Sequence, residues 1–270
     1  MQHPQHLRTT FDAVAERYDR VRPRYPSELF DDIAAHAGLA AGNRVLELGC
    51  GTGQATVGLA ERGFDVTALE LGSNLAAVAH RRLDRYPNVE IVIGDFDAWS
   101  LPPDPFDAVI SANAFHWMDS HRRVSKAFDA LRPGGQLAVI DSRHSPIGEA
   151  AMVARLRACD PRSNREARVR STGPQLRARP EAFDGIEGSG QSAEVVTSYH
   201  EQDLTYTTEE YLDLVMTYSH ILALEPTSQK RLRACVGELV AGELGGHIGE
   251  HYVHELLIAR KNGSGISLSP

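Results

Sequence analysis

Short apolar runs alternate with stretches of helical period along the first half of the chain. Residues 44–48 (RVLEL) lead into a glycine-rich turn, and from Gln54 the spacing turns helical, with Ala55, Leu59 and Ala60 on one side. Residues 65–69 (DVTAL) read as a second strand, followed by a helix over 75–83. Residues 89–93 (VEIVI) and 107–111 (DAVIS) give the third and fourth strands, and a helix follows over 122–131. Arg132-Pro133-Gly134-Gly135 stops that helix, and residues 136–141 (QLAVID) form a fifth strand. Apolar strands spaced by helices predict a parallel sheet covered on both faces. Right-handed crossovers leave few topologies for it.

Beyond Asp141 the pattern weakens. Residues 146–192 are rich in Arg, Pro and Gly, with little strand character. Residues 194–206 predict an extended strand, and 208–223 a helix with Thr208 as N-cap and Glu209 and Glu210 in its first turn. A further helix over 231–244 ends at Gly245-Gly246, and 251–260 give a last strand. No internal repeat is visible, and residues 262–270 read as a disordered tail.

Composition sets the class. The chain has 270 residues, 42% of them hydrophobic, enough for one large packed domain and against wholesale disorder. A net charge of -8 argues against an electrostatic grip on nucleic acid or anionic lipid. Three cysteines, at 50, 159 and 235, are too few and too scattered for a disulfide framework or zinc knuckle. The opening MQHPQHLRTTFD lacks a leader pattern, and no apolar run reaches the roughly 18 residues of a membrane span. These features predict a soluble, cytoplasmic protein in a reducing compartment, with no membrane or nucleic-acid partner.

The strongest chemical signal is Glu47-Leu48-Gly49-Cys50-Gly51-Thr52-Gly53, between a strand and a helix. Glycines let a ligand lie against the backbone, and the helix N-terminus behind them suits an anionic group. Gln54 stands where a dinucleotide fingerprint needs glycine, and no lysine follows to make a phosphate loop. Glu70, ending the second strand, can accept hydrogen bonds from both hydroxyls of a ribose, a device nicotinamide enzymes share. Gly94-Asp95-Phe96 follows the third strand; Asp95 can accept from an exocyclic amine and Phe96 can flank a flat ring. The run Ser111 to Asp119 (SANAFHWMD) follows the fourth, so four strand ends face one crevice.

In that order of motifs, residues 40–141 resemble the class I S-adenosylmethionine-dependent methyltransferases. The opening Phe11-Asp12-x-x-Ala15-x-x-Tyr18-Asp19-x-x-Arg22-Pro23-x-Tyr25-Pro26 is similar to small-molecule enzymes of the trans-aconitate methyltransferase type, as are Thr217-Tyr218-Ser219 and the closing HELLIARK. The resemblance implies an α/β, Rossmann-like fold with a central seven-stranded, mostly parallel sheet of order 3-2-1-4-5-7-6. It implies S-adenosyl-L-methionine as cofactor and S-adenosyl-L-homocysteine as product. Gly49, Gly51 and Gly53 would line the methionine part, with Glu47 supporting the turn. Glu70 would bind the ribose, Asp95 the adenine amine, and Phe96 and Leu71 the adenine edge. Asn113 would place its carbonyl near the sulfonium or amino group, while Tyr18, Arg22 and Tyr25 cover the cofactor from an N-terminal helix. Leu71-Gly72-Ser73-Asn74 departs from the family's usual turn at the adenine wall.

The layout expected is a single domain: an N-terminal lid helix (1–30), a cofactor-binding core (40–141), and substrate-side insertions (142–192 and 207–246). The acceptor site expected comprises Tyr25, His116, Trp117 and Tyr218. His116 is a candidate general base, or else a wall residue, and Tyr218 either lines the pocket or fills the core. His247, His251 and His254 do not predict a metal site, since strand alternation sets 251 and 254 on opposite faces. Cys50 reads as a small packing residue. Eight arginines against two acids in 155–179 read as a solvated lid, or as one that guides an anionic acceptor. The leading function is methylation of a small organic molecule. The alternatives are methylation of RNA or protein, disfavoured because no amino-methylating signature or RNA-binding module is visible, and a non-catalytic cofactor-binding protein.

Overall fold

The computed structural model describes residues 7–160 and 179–263. Its strands are β1 (Arg44–Leu48), β2 (Asp65–Glu70), β3 (Val89–Ile93), β4 (Phe106–Ala112), β5 (Leu131–Ile147), β6 (Ser192–Thr207) and β7 (His247–Lys261). They form one sheet in the order β3-β2-β1-β4-β5-β7-β6. The first five are parallel, and β7 runs antiparallel to both its neighbours. This is the order the family resemblance implied.

The central strands bury nearly every side chain because helices cover both faces. On one face Leu29, Phe30 and Ile33 of α2 (Ser27–Ala37) and Leu59 of α3 (Gln54–Ala60) pack on Val45 and Ile110. On the other, Val124, Ala127 and Phe128 of α5 (Arg123–Asp129) join Phe183 and Ile186 over Leu46, Val109 and Leu137. Between them in sequence, α4 (Ser73–Leu83) meets α3 through Ala79, Leu83 and Val57.

The N-terminal segment, with α1 at Ala15–Val21, is pinned across the strand ends. Helix α4 has no side-chain cap of its own. Asp12 supplies one from a distance, its Oδ1 accepting from the backbone N–H of Asn74 (2.8 Å) and Leu75 (3.0 Å). Such caps are worth about 1 kcal/mol. Asp19 then pairs with Arg82 at 2.9 Å, and Arg20 with Asp213 at 2.8 Å on the far side.

The outer strands are longer than the sequence pattern predicts. The Arg132–Gly135 stretch lies inside β5 at a register shift instead of preceding the strand. At the other end β4 stops at Ala112, opposite Ile140, while β5 continues to Ile147 paired with Gly249. The upper ends of β5, β7 and β6 thus form an overhang beside the crevice. Its polar positions face a cavity rather than a core, which is why apolar runs do not mark them.

A helical cap covers this overhang: α6 (Ala150–Ala158), α7 (Thr208–Val215), α8 (Ser219–Leu222) and α9 (Pro226–Glu238). The helix expected over 208–223 is broken after Val215, and its N-cap is Thr207, in a capping box with Glu210. The last helix begins five residues earlier than expected, with Pro226 at its first turn, and runs into a π-helical turn at Leu239–Glu243. Cys159 and Cys235, 76 residues apart, form a disulfide between the ends of α6 and α9. Their scatter along the chain gave no sign of this pairing. Most of the arginine-rich stretch and most of the tail lie outside the described residues. No described helix is long and apolar enough to cross a membrane.

Gly58 sits within α3, where glycine costs about 1 kcal/mol relative to alanine. Phe30 explains it: a Cβ on Gly58 would lie 2.3 Å from its ring. Gly58→Ala should therefore destabilise the fold by about 1–3 kcal/mol through overpacking, despite its better helix propensity. Urea denaturation checks this; a gain in stability would mean that Phe30 is not seated there.

Candidate active site

Three glycines shape the turn after β1. Gly49, Gly51 and Gly53 have φ of 70°, 60° and 89°, in the left-handed region. Gly49 also allows a close approach, since a Cβ there would lie 2.5 Å from Cβ of Ala114, after β4. Gly53 plays a different part from the one expected. It opens α3, packed on Leu83 at the position a Cβ would take, and lines neither cavity described below.

Two buried acids flank this turn. Glu70 is 6% exposed and accepts the N–H of Gly51 at Oε2 and of Gly72 at Oε1, both at 2.8 Å. Burial pushes its carboxyl pKa up, and those backbone bonds pull against the rise. Each oxygen keeps a second lone pair, and the side chain lines a cavity of ≈ 120 Å³ with Leu71, Gly94, Asp95, Phe96 and Met118. Glu47 is 1% exposed, and burial raises its carboxyl to about 7. The Thr56 hydroxyl beside it pulls against that rise, and the residue borders a second, larger cavity of ≈ 1210 Å³. A buried acid at a cavity wall suits a ligand ammonium.

The two cavities adjoin, sharing Phe11, Tyr18, Gly49, Gly51, Asn113 and Trp117 in their walls. Asp95 is taken up by Arg8, whose Nη2 donates to Oδ2 at 2.5 Å while Nη1 reaches Asp97 at 3.1 Å. Phe96 belongs mostly to the core, with only an edge on the small cavity. Arg22 lines the large one, held by Thr217 Oγ1 (2.9 Å) and Thr217 O (3.0 Å), with its guanidinium 4.9 Å from the ring centres of both Tyr18 and Tyr218. His116 and Trp117 lie on a short 3₁₀ turn, their rings 4.9 Å apart, and both line the large cavity.

Asn113 has φ 55°, the one described non-glycine in the left-handed region. Its side chain is fully engaged: Nδ2 donates to Tyr25 Oη (2.8 Å) and Ser142 Oγ (2.9 Å), and Oδ1 accepts from Ser142 N (2.7 Å). His254 Nδ1 meets the same serine at 2.7 Å, and its Nε2 lies 2.9 Å from Gln202 Nε2, which also donates to Arg24 O. Gln202 is the donor, so His254 accepts at Nε2 and donates from Nδ1. Burial, with His200 nearby, holds its pKa down at about 4. This network ties Tyr25 to β5, β6 and β7.

Sequence reasoning missed Arg8 and the overhang. His144 Nδ1 lies 2.9 Å from Glu250 Oε2, and Glu250 Oε1 accepts the Tyr211 hydroxyl at 2.9 Å. The Tyr218 hydroxyl is buried beside them without a partner among the described residues. The alternation Glu250, Tyr252, His254 was the available signal, a buried period of two in a strand taken to start four residues too late. His251 faces the other way, toward Asp203 at 2.6 Å. Cys50 is buried beside α3 as packing.

Residues 45–135 match the family described as a methyltransferase domain. An uncharacterized methyltransferase of Mycobacterium bovis is 36% identical over 140 residues, which cover 52% of this chain and 55% of that one. A trans-aconitate 2-methyltransferase of Deinococcus radiodurans is 38% identical over 113 residues, 41% and 43% of the two chains. The chain thus spans about half the length of the curated relatives it matches. Among solved structures, phosphoethanolamine N-methyltransferase 2 of Haemonchus contortus, in complex with phosphomonomethylethanolamine and S-adenosylhomocysteine, aligns with a TM-score of 0.53 at 15% identity, over 93% of this chain and 57% of that one. The [4+2]-cyclase SpnF aligns at 0.51 and 18% identity, over 90% and 84%. Sheet order, glycine turn and family match agree: residues 45–135 carry a methyltransferase domain, set in a seven-stranded sheet of the order this fold uses.

Proposed function

We propose that the protein transfers the methyl group of S-adenosyl-L-methionine to a small organic acceptor by in-line displacement. One observation carries the reading: two buried acids, Glu47 and Glu70, flank one glycine turn and open onto adjoining cavities. A ligand with an ammonium at one end and a ribose diol further along suits both, and the adenosyl sulfonium has both groups. A nicotinamide dinucleotide offers diols but no ammonium for Glu47.

In this reading Arg22, already oriented by Thr217, takes the carboxylate of the methionine part, and Tyr18 and Tyr25 cover it. Leu71 and Phe96 wall the adenine, and Asp95 accepts its amine once Arg8 withdraws. Bound there, the group supplies an activated methyl carbon; the protein's part is to orient it and exclude water. Residues 7–30 act as the lid, and residues 142–160, 179–192 and 207–246 of the two insertions close the acceptor side. The acceptor lies beside His116, Trp117 and Tyr218, beneath the cap. Enclosure by cap and overhang favours a small molecule over RNA or protein. The second reading is cofactor binding without transfer. Tight binding with no labelled product from any acceptor would identify it.

Calorimetry with S-adenosylhomocysteine tests the ribose assignment. Glu70→Gln keeps one acceptor for the backbone amides but loses the charge. It should weaken binding about 10- to 100-fold, the loss of about 1.5–3 kcal/mol for a charge-assisted bond. Unchanged affinity, or preference for NAD, would remove the reading.

Glu47 predicts a pH dependence. Its carboxyl titrates at about 7 in the free protein, and an ammonium binds only the ionised form. Binding therefore lowers that pKa and releases a proton. Affinity should be full above pH 7 and fall about tenfold for each unit below it. Glu47→Gln should bind weakly, with a flat profile over the same range. A flat profile in the unsubstituted protein would contradict the contact.

A further inference from the structure

We propose that His144 is the proton acceptor of the transfer, fixed in its working tautomer by Glu250, so that the methyl acceptor is a protic nucleophile carrying an O–H or N–H. The inference rests on the functional reading above and names the substrate class for it.

The case begins with Glu250, which is 0% exposed. A carboxylate can only accept, and both its oxygens do: Oε1 from the Tyr211 hydroxyl and Oε2 from His144 Nδ1, each at 2.9 Å. The imidazole proton therefore sits on Nδ1, and Nε2 carries a lone pair. The ring is held beside Tyr252 (centroids 5.1 Å, stacked) and Tyr218 (5.3 Å), yet its side chain keeps 29% exposure and lines the large cavity. No described residue bonds to Nε2. A carboxylate behind an imidazole whose far nitrogen faces a substrate cavity is the arrangement by which a base is oriented and its cationic form stabilised.

Two other histidines of the cavity, His254 and His220, have the nitrogens described for them committed. His254 has both nitrogens committed, to Ser142 and Gln202. His220 Nε2 pairs with Asp160 at 3.2 Å. The base also shares its cavity with Glu47 and the glycine turn, where the methyl donor is placed. Why His144 stands there follows from the overhang: β5 runs on past the end of β4, and His144 pairs across to Tyr252.

A carboxylate acceptor arrives already ionised and has no use for such a base. A hydroxyl or a protonated amine does. The acceptor's proton goes to Nε2 of His144, a lone pair of the oxygen or of the freed amine forms the bond to the methyl carbon, and the carbon–sulfur bond breaks with its electron pair passing to sulfur. The new imidazolium faces Glu250. The buried Tyr218 hydroxyl offers a donor to a second polar atom of the acceptor. Tyr211 and Glu250 are positioning residues.

The test uses the full chain, methyl-labelled S-adenosylmethionine and the low-molecular-weight fraction of a cell extract from the source organism, over pH 5.5–9. Groups facing the base that set its ionisation are Glu250 and Tyr252 from β7, Tyr211 and Tyr218 from the cap, and Arg22 beyond Tyr218. Labelling should rise with pH through one ionisation, and the product should carry its label on oxygen or nitrogen that was protonated. His144→Gln should lower the rate by about 10²–10⁴-fold, the usual size of a general-base effect, with S-adenosylhomocysteine affinity unchanged. Nitrogen-15 spectra of the histidine side chains give a readout without turnover. They should show His144 as the Nδ1–H tautomer, and Tyr211→Phe, a variant that preserves the packing, should strengthen the bond from Nδ1 to Glu250 and move the Nδ1 signal. A rate retained by His144→Gln, with loss instead in His116→Ala, overturns this inference alone. A methyl ester as the sole product also overturns it alone. No labelled product from the unsubstituted protein overturns the functional reading, and this inference with it.

Discussion

The carboxylate of Glu70 is shared by two backbone amides, those of Gly51 and Gly72, and much of the site depends on that sharing. A buried acid is tolerated when its oxygens are bonded, and here the bonding joins the turn after β1 to the turn after β2. Those turns open α3 and α4. With the start of α4 fixed, Asp12 can cap it from the N-terminal segment, and α1 is laid across the strand ends by the ion pair between Asp19 and Arg82. One side chain thus sets the floor of the small cavity and, through α4, the place of the segment above it.

A second device builds the opposite wall. Three antiparallel strands outrun the parallel ones, and their upper ends carry polar residues that satisfy one another across the sheet. The network from Arg24 through Gln202, His254, Ser142 and Asn113 to Tyr25 makes the N-terminal segment part of that wall. The disulfide between Cys159 and Cys235 holds the two cap helices whose Leu156, Leu232 and Val236 border the cavity. Cofactor-side and acceptor-side geometry are therefore set by different parts of the chain, one by short parallel strands, the other by the overhang and its cap.

That division explains what the sequence disclosed. Strands buried on both faces show as unbroken apolar runs, so β1, β2 and β4 are visible in RVLEL, DVTAL and DAVIS, and each site residue at their ends can be named. Glu70, Asp95 and Asn113 all fall at the crevice. Gly53 has a left-handed φ that serves the entry to α3, and it lines neither cavity. The overhang stayed hidden because SRHSPI and HIGEHYVHE have mixed polarity, with cavity-facing polar groups breaking the pattern on which strand prediction rests. His144 and Glu250 become a pair only through the register of β5 on β7, and Cys159 with Cys235 only through the packing of two helices. Arg8 carries no motif at all.

The most direct measurement is a crystal structure of the full chain with S-adenosylhomocysteine bound. The account predicts ribose hydroxyls on the free lone pairs of Glu70, the ammonium against the carboxylate of Glu47, and Arg8 displaced from Asp95 by the adenine amine. A ligand bound elsewhere, or one in the crevice with no ammonium at Glu47 and Arg8 still on Asp95, would contradict it.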